Sequence, residues 1–226
     1  MHALLRHLDD AGFAASPRVI DVDDDHETLS FLPGDSGPTG WARVVDERGL
    51  RETARLLRSY HDAVRDWSPP PSLRWYDDTA GGGGPGELVC HGDFGPWNLV
   101  WDATTPVGIL DWDYAAPGPP HDDVAYALEY VAPFRSDAEC LEWLAYPSPP
   151  DRRRRLEVFA EAYGLPAHSL DGLVDAVVRR QRDGIAAVKD LAARGREPQA
   201  TWVAEGYLRQ LADRVRWTEE HRDLFV

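Results

Sequence analysis

Asp93, Asn98 and Asp111 are the residues of this chain whose types and spacing are best suited to chemistry. The string His91-Gly92-Asp93 is followed, after Phe94-Gly95-Pro96-Trp97, by Asn98. Two apolar runs, Leu99-Val100-Trp101 and Val107-Gly108-Ile109-Leu110, then flank a short turn at 102–106 and end at Asp111. Runs of this kind predict an antiparallel hairpin. Pairing its strands about the turn with Leu99 opposite Leu110 puts Asn98 opposite Asp111, and directly opposed side chains lie only ~5 Å apart. An amide and a carboxylate at a hairpin mouth are two hard oxygen ligands of the kind Mg²⁺ takes, with water and phosphate completing its shell. Asp93, in a loop whose Gly and Pro fix the backbone, can accept a proton from a substrate hydroxyl. A metal, a carboxylate that orients the nucleophile and little covalent chemistry are what phosphoryl transfer requires. Asp, Asn and Gly are also ordinary turn residues, so it is their joint spacing that carries the expectation.

The string His91-Gly92-Asp93-x-x-x-x-Asn98, followed by Ile109-Leu110-Asp111-Trp112-Asp113, resembles the aminoglycoside phosphotransferase and choline kinase family. These are relatives of protein kinases, whose His-Arg-Asp loop and Asp-Phe-Gly turn hold equivalent positions. The likeness continues through Pro117-Gly118-Pro119 and Asp122-Asp123-Val124-Ala125-Tyr126-Ala127. The resemblance implies an O-phosphotransferase that uses Mg²⁺ and ATP or GTP on a small, cationic, hydroxyl-bearing acceptor such as an aminoglycoside. It implies that Asp93 is the base and that His91 belongs to the catalytic set, more as an orienter of the loop than as a chemical participant. Asn98 and Asp111 become the Mg²⁺ ligands, Asp113 an additional candidate ligand, and Asp123 a brace of the catalytic loop. Upstream, Leu29-Ser30-Phe31-Leu32-Pro33-Gly34 looks like the family's hinge, where the Ser30 carbonyl and the Leu32 N–H, on either side of Phe31, would hold the nucleotide base.

The fold so implied is α+β and protein-kinase-like: a reduced N-terminal lobe of one helix and one β-hairpin, and a mainly helical C-terminal lobe carrying the short catalytic hairpin. Residues 1–32 would be the remnant of the nucleotide-binding lobe, 33–37 the hinge, and 38–226 the catalytic and substrate-binding lobe. A kinase small lobe normally supplies a glycine-rich loop and a strand lysine for the phosphates. Ahead of Pro33 the only glycine is Gly12, and Lys189, far along the chain, is the only lysine. The expectation is therefore that Met1 falls part-way through the small lobe. The chain alone would then hold nucleotide weakly and transfer slowly, or be an inactive kinase-like binding protein.

The elements that must position these residues are legible as periodicity. Leu4, Leu5, Leu8 and Ala11 predict a short amphipathic helix over 3–11, closed by Gly12. Arg18–Val22 and Thr28–Leu32 predict a hairpin about the acidic turn Asp23-Asp24-Asp25-His26. Leu50, Ala54, Leu57, His61 and Val64 have helical spacing to about Trp67, and Pro69–Gly86 reads as a mobile loop. Beyond Asp122 the pattern is almost all helix. One helix is expected near Asp151–Tyr163 with a stop at Gly164, another near Asp171–Ala193, and a last near Thr201–Trp217. The second of these carries a buried stripe of Val174, Val177, Val178, Ile185 and Val188. Arg152–Arg155 reads as a basic, solvated helix face ahead of a phosphate-binding cluster. The helices after Tyr130 should form the acceptor pocket, with Glu129, Asp137, Glu139 and Glu142 as amine-binding candidates.

Composition narrows the class. The chain has 226 residues, 43% of them hydrophobic, with nine tryptophans, which fits one packed domain or two lobes sharing a core. A formal net charge of −15 counts against nucleic acid and anionic membrane surfaces as partners and suits nucleotide and small-molecule ligands. No apolar run is long enough to span a bilayer, and Cys90 and Cys140 make neither a disulfide framework nor a zinc site, which points to a reduced cytoplasm. Gly34-Asp35-Ser36-Gly37 matches a serine-protease loop without the surrounding barrel. His61-Asp62 and His121-Asp122 suggest a His/Asp metal phosphohydrolase as a competing reading.

Overall fold

The computed structural model of the chain describes residues 1–76, 81–166 and 170–226. Helix α1 (His2–Asp10) buries Leu4, Leu5 and Leu8 completely, and strands β1 (Val19–Val22) and β2 (Glu27–Leu29) form the antiparallel hairpin that follows it. Phe31, beyond the hairpin, is 85% exposed. A short helix α2 (Gly40–Val45) comes next. Six residues are too few to show a periodic stripe, so nothing in the sequence announced it. Its first residue explains itself only in three dimensions: a Cβ on Gly40 would lie 2.0 Å from the Pro96 carbonyl oxygen.

Helix α3 (Glu47–Val64) is the central support. The Asp46 carboxylate caps it by accepting from the Arg48 N–H at 2.7 Å, and Leu50, Ala54, Leu57, Tyr60, His61 and Val64 form its buried stripe. The stretch expected as a loop over 69–86 includes 77–80, which lie outside the described residues. Strand β3 (Leu88–Cys90) leads into the His91 loop, β4 (Leu99–Asp102) and β5 (Thr105–Ile109) make the second hairpin, and β6 (Ala116–Gly118) returns to pair antiparallel with β3. Helix α4 (Pro120–Val131) starts directly after β6, with Asp122 and Asp123 in its first turn.

The rest is helical: α5 (Asp137–Trp143), α6 (Arg152–Tyr163), α7 (Leu170–Ala193), α8 (Gln199–Ala204) and α9 (Tyr207–Glu220). Helix α6 packs along α3 and ends at Gly164, whose φ of 91° closes it in the left-handed conformation. In α7, Val174, Val177 and Val178 are buried, while Ile185 and Val188 are only half-buried. The helix expected over 201–217 is two helices, because Gly206 breaks it at a φ of 88°.

The arginines of α6 correct a sequence expectation. Arg153 and Arg154 are exposed, but Arg152 and Arg155 are 4% and 8% exposed. Arg155 donates to the carbonyls of Val44, Val45 and Val131, and Arg152 to those of Pro133 and Arg135. These guanidiniums tie α2 and the α4–α5 connection to α6 and form no solvated face. A run of like charges reads as solvated because sequence does not reveal which carbonyls lie within reach.

Candidate active site

The His91 loop is held from below by one buried carboxylate. Asp123, 1% exposed, accepts from the His91 N–H at 2.7 Å, the Gly92 N–H at 2.8 Å and His61 Nε2 at 3.1 Å. Burial alone would push the Asp123 carboxyl up, but the His61 hydrogen bond, the charges of His61 and His91 and the Gly92 amide outweigh it and hold it below its ordinary value. His61 completes the chain by accepting from the Tyr163 hydroxyl at Nδ1 over 2.6 Å. Gly92 has a φ of 81°, and a Cβ there would meet the Tyr114 carbonyl oxygen at 2.4 Å, so the turn admits no side chain.

His91 is fully buried and both ring nitrogens are engaged. The Asp93 N–H donates to Nδ1 at 3.2 Å, and Nε2–H donates to the Leu110 carbonyl at 3.0 Å. The ring thus ties the Asp93 loop to the residue before Asp111. Burial lowers its pKa from the ordinary 6.5, against the opposing pull of Asp123, Asp93 and Asp111. The unfolded chain therefore takes up this proton first on acidification, so stability should begin to fall below about pH 6.5. Asp123, depressed in the folded state, adds to the loss at still lower pH. Denaturant midpoints against pH should show this decline, with a shallower slope in His91→Gln.

The hairpin register departs from the expected pairing of Asn98 with Asp111. Asp102 pairs with Thr105 and Trp101 with Pro106, but Val100 pairs with Gly108, and Val107 is the extra residue of a bulge. Asn98 consequently opposes Leu110, whose N–H donates to the Asn98 carbonyl at 2.8 Å, and Asp111 falls one residue beyond. Asp111 is exposed and takes a φ of 59°. That conformation costs a non-glycine residue roughly 1–3 kcal/mol and is concentrated at functional sites. Asp113 is exposed and lies toward the Met1 α-amino group, whose charge it favours.

Asp93 is half-buried, and both carboxylate oxygens have partners. The Tyr126 hydroxyl donates to Oδ1, and Asn98 Nδ2 donates to Oδ2 at 2.7 Å and to the Asp93 carbonyl at 3.0 Å. Burial raises the Tyr126 phenol well above its ordinary value, so it remains a donor at neutral pH. With its amide nitrogen turned to Asp93, Asn98 keeps Oδ1 as an oxygen donor. That oxygen and the exposed Asp111 carboxylate are each of the hard-oxygen type that Mg²⁺ takes. Two neighbours of Asp93 lie outside the His91–Asn98 loop. Tyr126 lies on α4, and Arg180, on α7, donates to the Gly92 carbonyl at 3.3 Å and stacks over the Tyr126 ring. Only packing brings them there, since 33 and 87 positions separate them from Asp93.

Asp93 opens on a cavity of about 570 Å³ between the catalytic loop and helices α4, α7, α8 and α9. Trp97, Tyr126 and Tyr130 form one aromatic wall, with ring centroids 4.8–6.5 Å apart, and Tyr76 and Tyr114 another, at 4.5 Å. Of the four acids expected to bind amines, only Glu129 lines this cavity, and it lies 3.6 Å from Arg135. Asp137 pairs with Arg152 at 2.8 Å, Glu139 closes a capping box with Ser136, and Glu142 is on the surface outside the lining. Early turns of helices favour acids for capping and dipole reasons, and that accounts for Asp137 and Glu139.

The His/Asp phosphohydrolase reading fails on the same geometry. His61 uses both nitrogens inside the core, His121 and Asp122 are half-exposed, and no cluster of three His, Cys, Asp or Glu side chains suited to a metal occurs among the described residues. No helix among them is long and apolar enough to cross a membrane.

A mainly helical body beside small antiparallel hairpins, with Asp93 facing a cavity between the His91 loop and the helices, defines a kinase-like α+β protein. Two solved structures share the fold. An amicoumacin kinase in complex with AMP-PNP, Ca²⁺ and Ami aligns over 97% of this chain and 76% of its own, with a TM-score of 0.60 at 12% identity. A candidate aminoglycoside phosphotransferase from Ralstonia eutropha aligns over 97% and 82%, with a TM-score of 0.50 at 13% identity. The sequence profile of the phosphotransferase enzyme family matches residues 73–159. The trifolitoxin immunity protein of Rhizobium leguminosarum bv. trifolii is 31% identical over 204 residues, covering 88% of this chain and 74% of that protein. The chain belongs to the phosphotransferase enzyme family.

Proposed function

We propose that the protein transfers the γ-phosphoryl group of ATP or GTP to a hydroxyl of a small molecule held in the cavity beside Asp93. The observation that carries this reading is the Asp93 carboxylate, fixed by Tyr126 and Asn98 at the mouth of a ligand-sized cavity. A carboxylate offers about four lone-pair sites, so two remain for the acceptor hydroxyl. The acceptor oxygen attacks the γ-phosphorus, its proton passes to Asp93, and the bond to the β–γ bridging oxygen breaks as the nucleoside diphosphate leaves. Asn98 Oδ1 and Asp111 are the groups that would hold Mg²⁺, which when bound neutralises phosphate charge. Arg180 contributes a permanent positive charge at the same end of the cavity. His91 and Asp123 act as positioning residues, through the loop backbone. Residues 30–32 would hold the nucleotide base, and 33–37 form the proposed hinge between residues 1–32 and the larger body.

The immunity relative supports a protective role, in which phosphorylation disarms a toxic compound. An aminoglycoside-like cation would meet aromatic faces here, but three of the four carboxylates it was expected to use, Glu129, Asp137 and Glu139, are matched by arginines, and Glu142 lies outside the cavity. Following phosphorus by NMR tests the reaction. With Mg²⁺, nucleotide and a panel of hydroxyl compounds, a new phosphate monoester should appear. Release of inorganic phosphate alone, with no ester from any acceptor, would contradict transfer.

A further inference from the structure

Two buried amides in the cavity wall have bonding capacity with nothing to meet it. Gln181 on α7 is 7% exposed, and neither its Oε1 nor its Nε2 has a hydrogen-bond partner. Gln199, which opens α8, is 3% exposed; its Nε2 donates to the Tyr114 hydroxyl at 3.1 Å while its Oε1 has no partner. Among the described residues these are three of the four buried side-chain N and O atoms left unpartnered. Folded proteins satisfy almost all such groups, and here the exceptions gather on one cavity.

Their chemistry indicates what would satisfy them. Gln181 presents a donor and an acceptor on one planar group, the complement of another amide, and Gln199 adds an acceptor. The aromatic walls supply flat apolar faces. Charge gives little preference for a polycation: three carboxylates line the cavity (Asp93, Glu129, Asp190) against three guanidiniums, and Asp190 is already paired with Arg194 at 2.7 Å.

We propose that Gln181 and Gln199 form an amide-reading subsite, so that the acceptor is an uncharged hydroxyl compound carrying an amide and a flat apolar group. The subsite takes its meaning as an acceptor site from the phosphotransferase reading, but it is tested by binding alone, without nucleotide or turnover. Calorimetric titration should use chloramphenicol, which is uncharged and has an amide, two hydroxyls and an aromatic ring. The comparison is kanamycin, a polycation without an amide. Chloramphenicol should bind the unaltered chain more tightly than kanamycin does. Gln181→Met and Gln199→Met, which keep volume and remove the polar atoms, should each weaken chloramphenicol about tenfold or more, since a bonded group left without its partner forfeits its full hydrogen-bonding contribution. Kanamycin should be indifferent to both changes. Gln181→Met should also melt no lower than the unaltered chain, which separates lost recognition from lost folding. Tighter binding of kanamycin, no binding of chloramphenicol, or equal chloramphenicol affinity in all three proteins would overturn the proposal. Failure of the phosphotransferase reading would look different, as amide-dependent binding with no phosphoryl transfer.

Discussion

Asp93→Asn should slow phosphoryl transfer by roughly 10²–10⁴-fold, the range expected for loss of a positioned base, and leave nucleotide affinity close to that of the unaltered chain. The substitution is nearly isosteric and its hydrogen bonds can be kept. An Asn at 93 can turn its oxygen to Asn98 Nδ2 and its amide nitrogen to the Tyr126 oxygen, so the loop has no reason to move. What disappears is the lone pair that takes the acceptor proton. Single-turnover rates with a fixed acceptor, beside AMP-PNP titrations of both proteins, separate the two effects. A rate within a few-fold of the original would remove Asp93 from the role of base.

Asp123→Ala should cost about 3–5 kcal/mol of stability, because it leaves several buried donors without their acceptor. The carboxylate serves three donors at once: the N–H groups of His91 and Gly92, and His61. With an alanine none of them has a nearby replacement, and buried amides without partners each cost about 1–3 kcal/mol. Against a typical total of about 5–15 kcal/mol, the variant should be marginally folded and its catalytic loop displaced. Asp123→Asn, which can still accept, should lose less. Urea denaturation of the three proteins checks this ordering. A loss under about 1 kcal/mol for the alanine variant would mean that the loop is held by something else.

The parts of the fold that sequence revealed are those governed by near neighbours. The stripe of α1, the β1–β2 hairpin about its acidic turn, the stripe of α3 and the stop of α6 at Gly164 all follow from local periodicity and turn chemistry. The loop from His91 to Asn98 was legible for the same reason: its Gly-Pro framework and the Asp93–Asn98 contact lie within one short segment. Three features were not legible. The hairpin turns tightly at 103–104 and recovers one residue of register at the Val107 bulge, and alternation of apolar residues cannot distinguish that from a regular ladder. The burial of Arg152 and Arg155 depends on carbonyls 17 to 111 positions away. Tyr126, Arg180, Gln181 and Gln199 reach the cavity only through the packing of α4, α7 and α8, which no local pattern encodes. The break at Gly206 was the exception, since a glycine inside a helical run is itself the signal.

In the proposed reaction Asn98 and Asp111 would hold a divalent cation against nucleotide phosphates, beside a base that is not itself needed for binding. The most direct measurement is a titration of the chain with AMP-PNP, in Mg²⁺ and again in a chelator, repeated on Asp111→Ala. The unaltered chain should bind more tightly in Mg²⁺, and Asp111→Ala should lose this dependence. Equal affinity with and without Mg²⁺, or an unchanged Mg²⁺ dependence in Asp111→Ala, would contradict the proposed cation site.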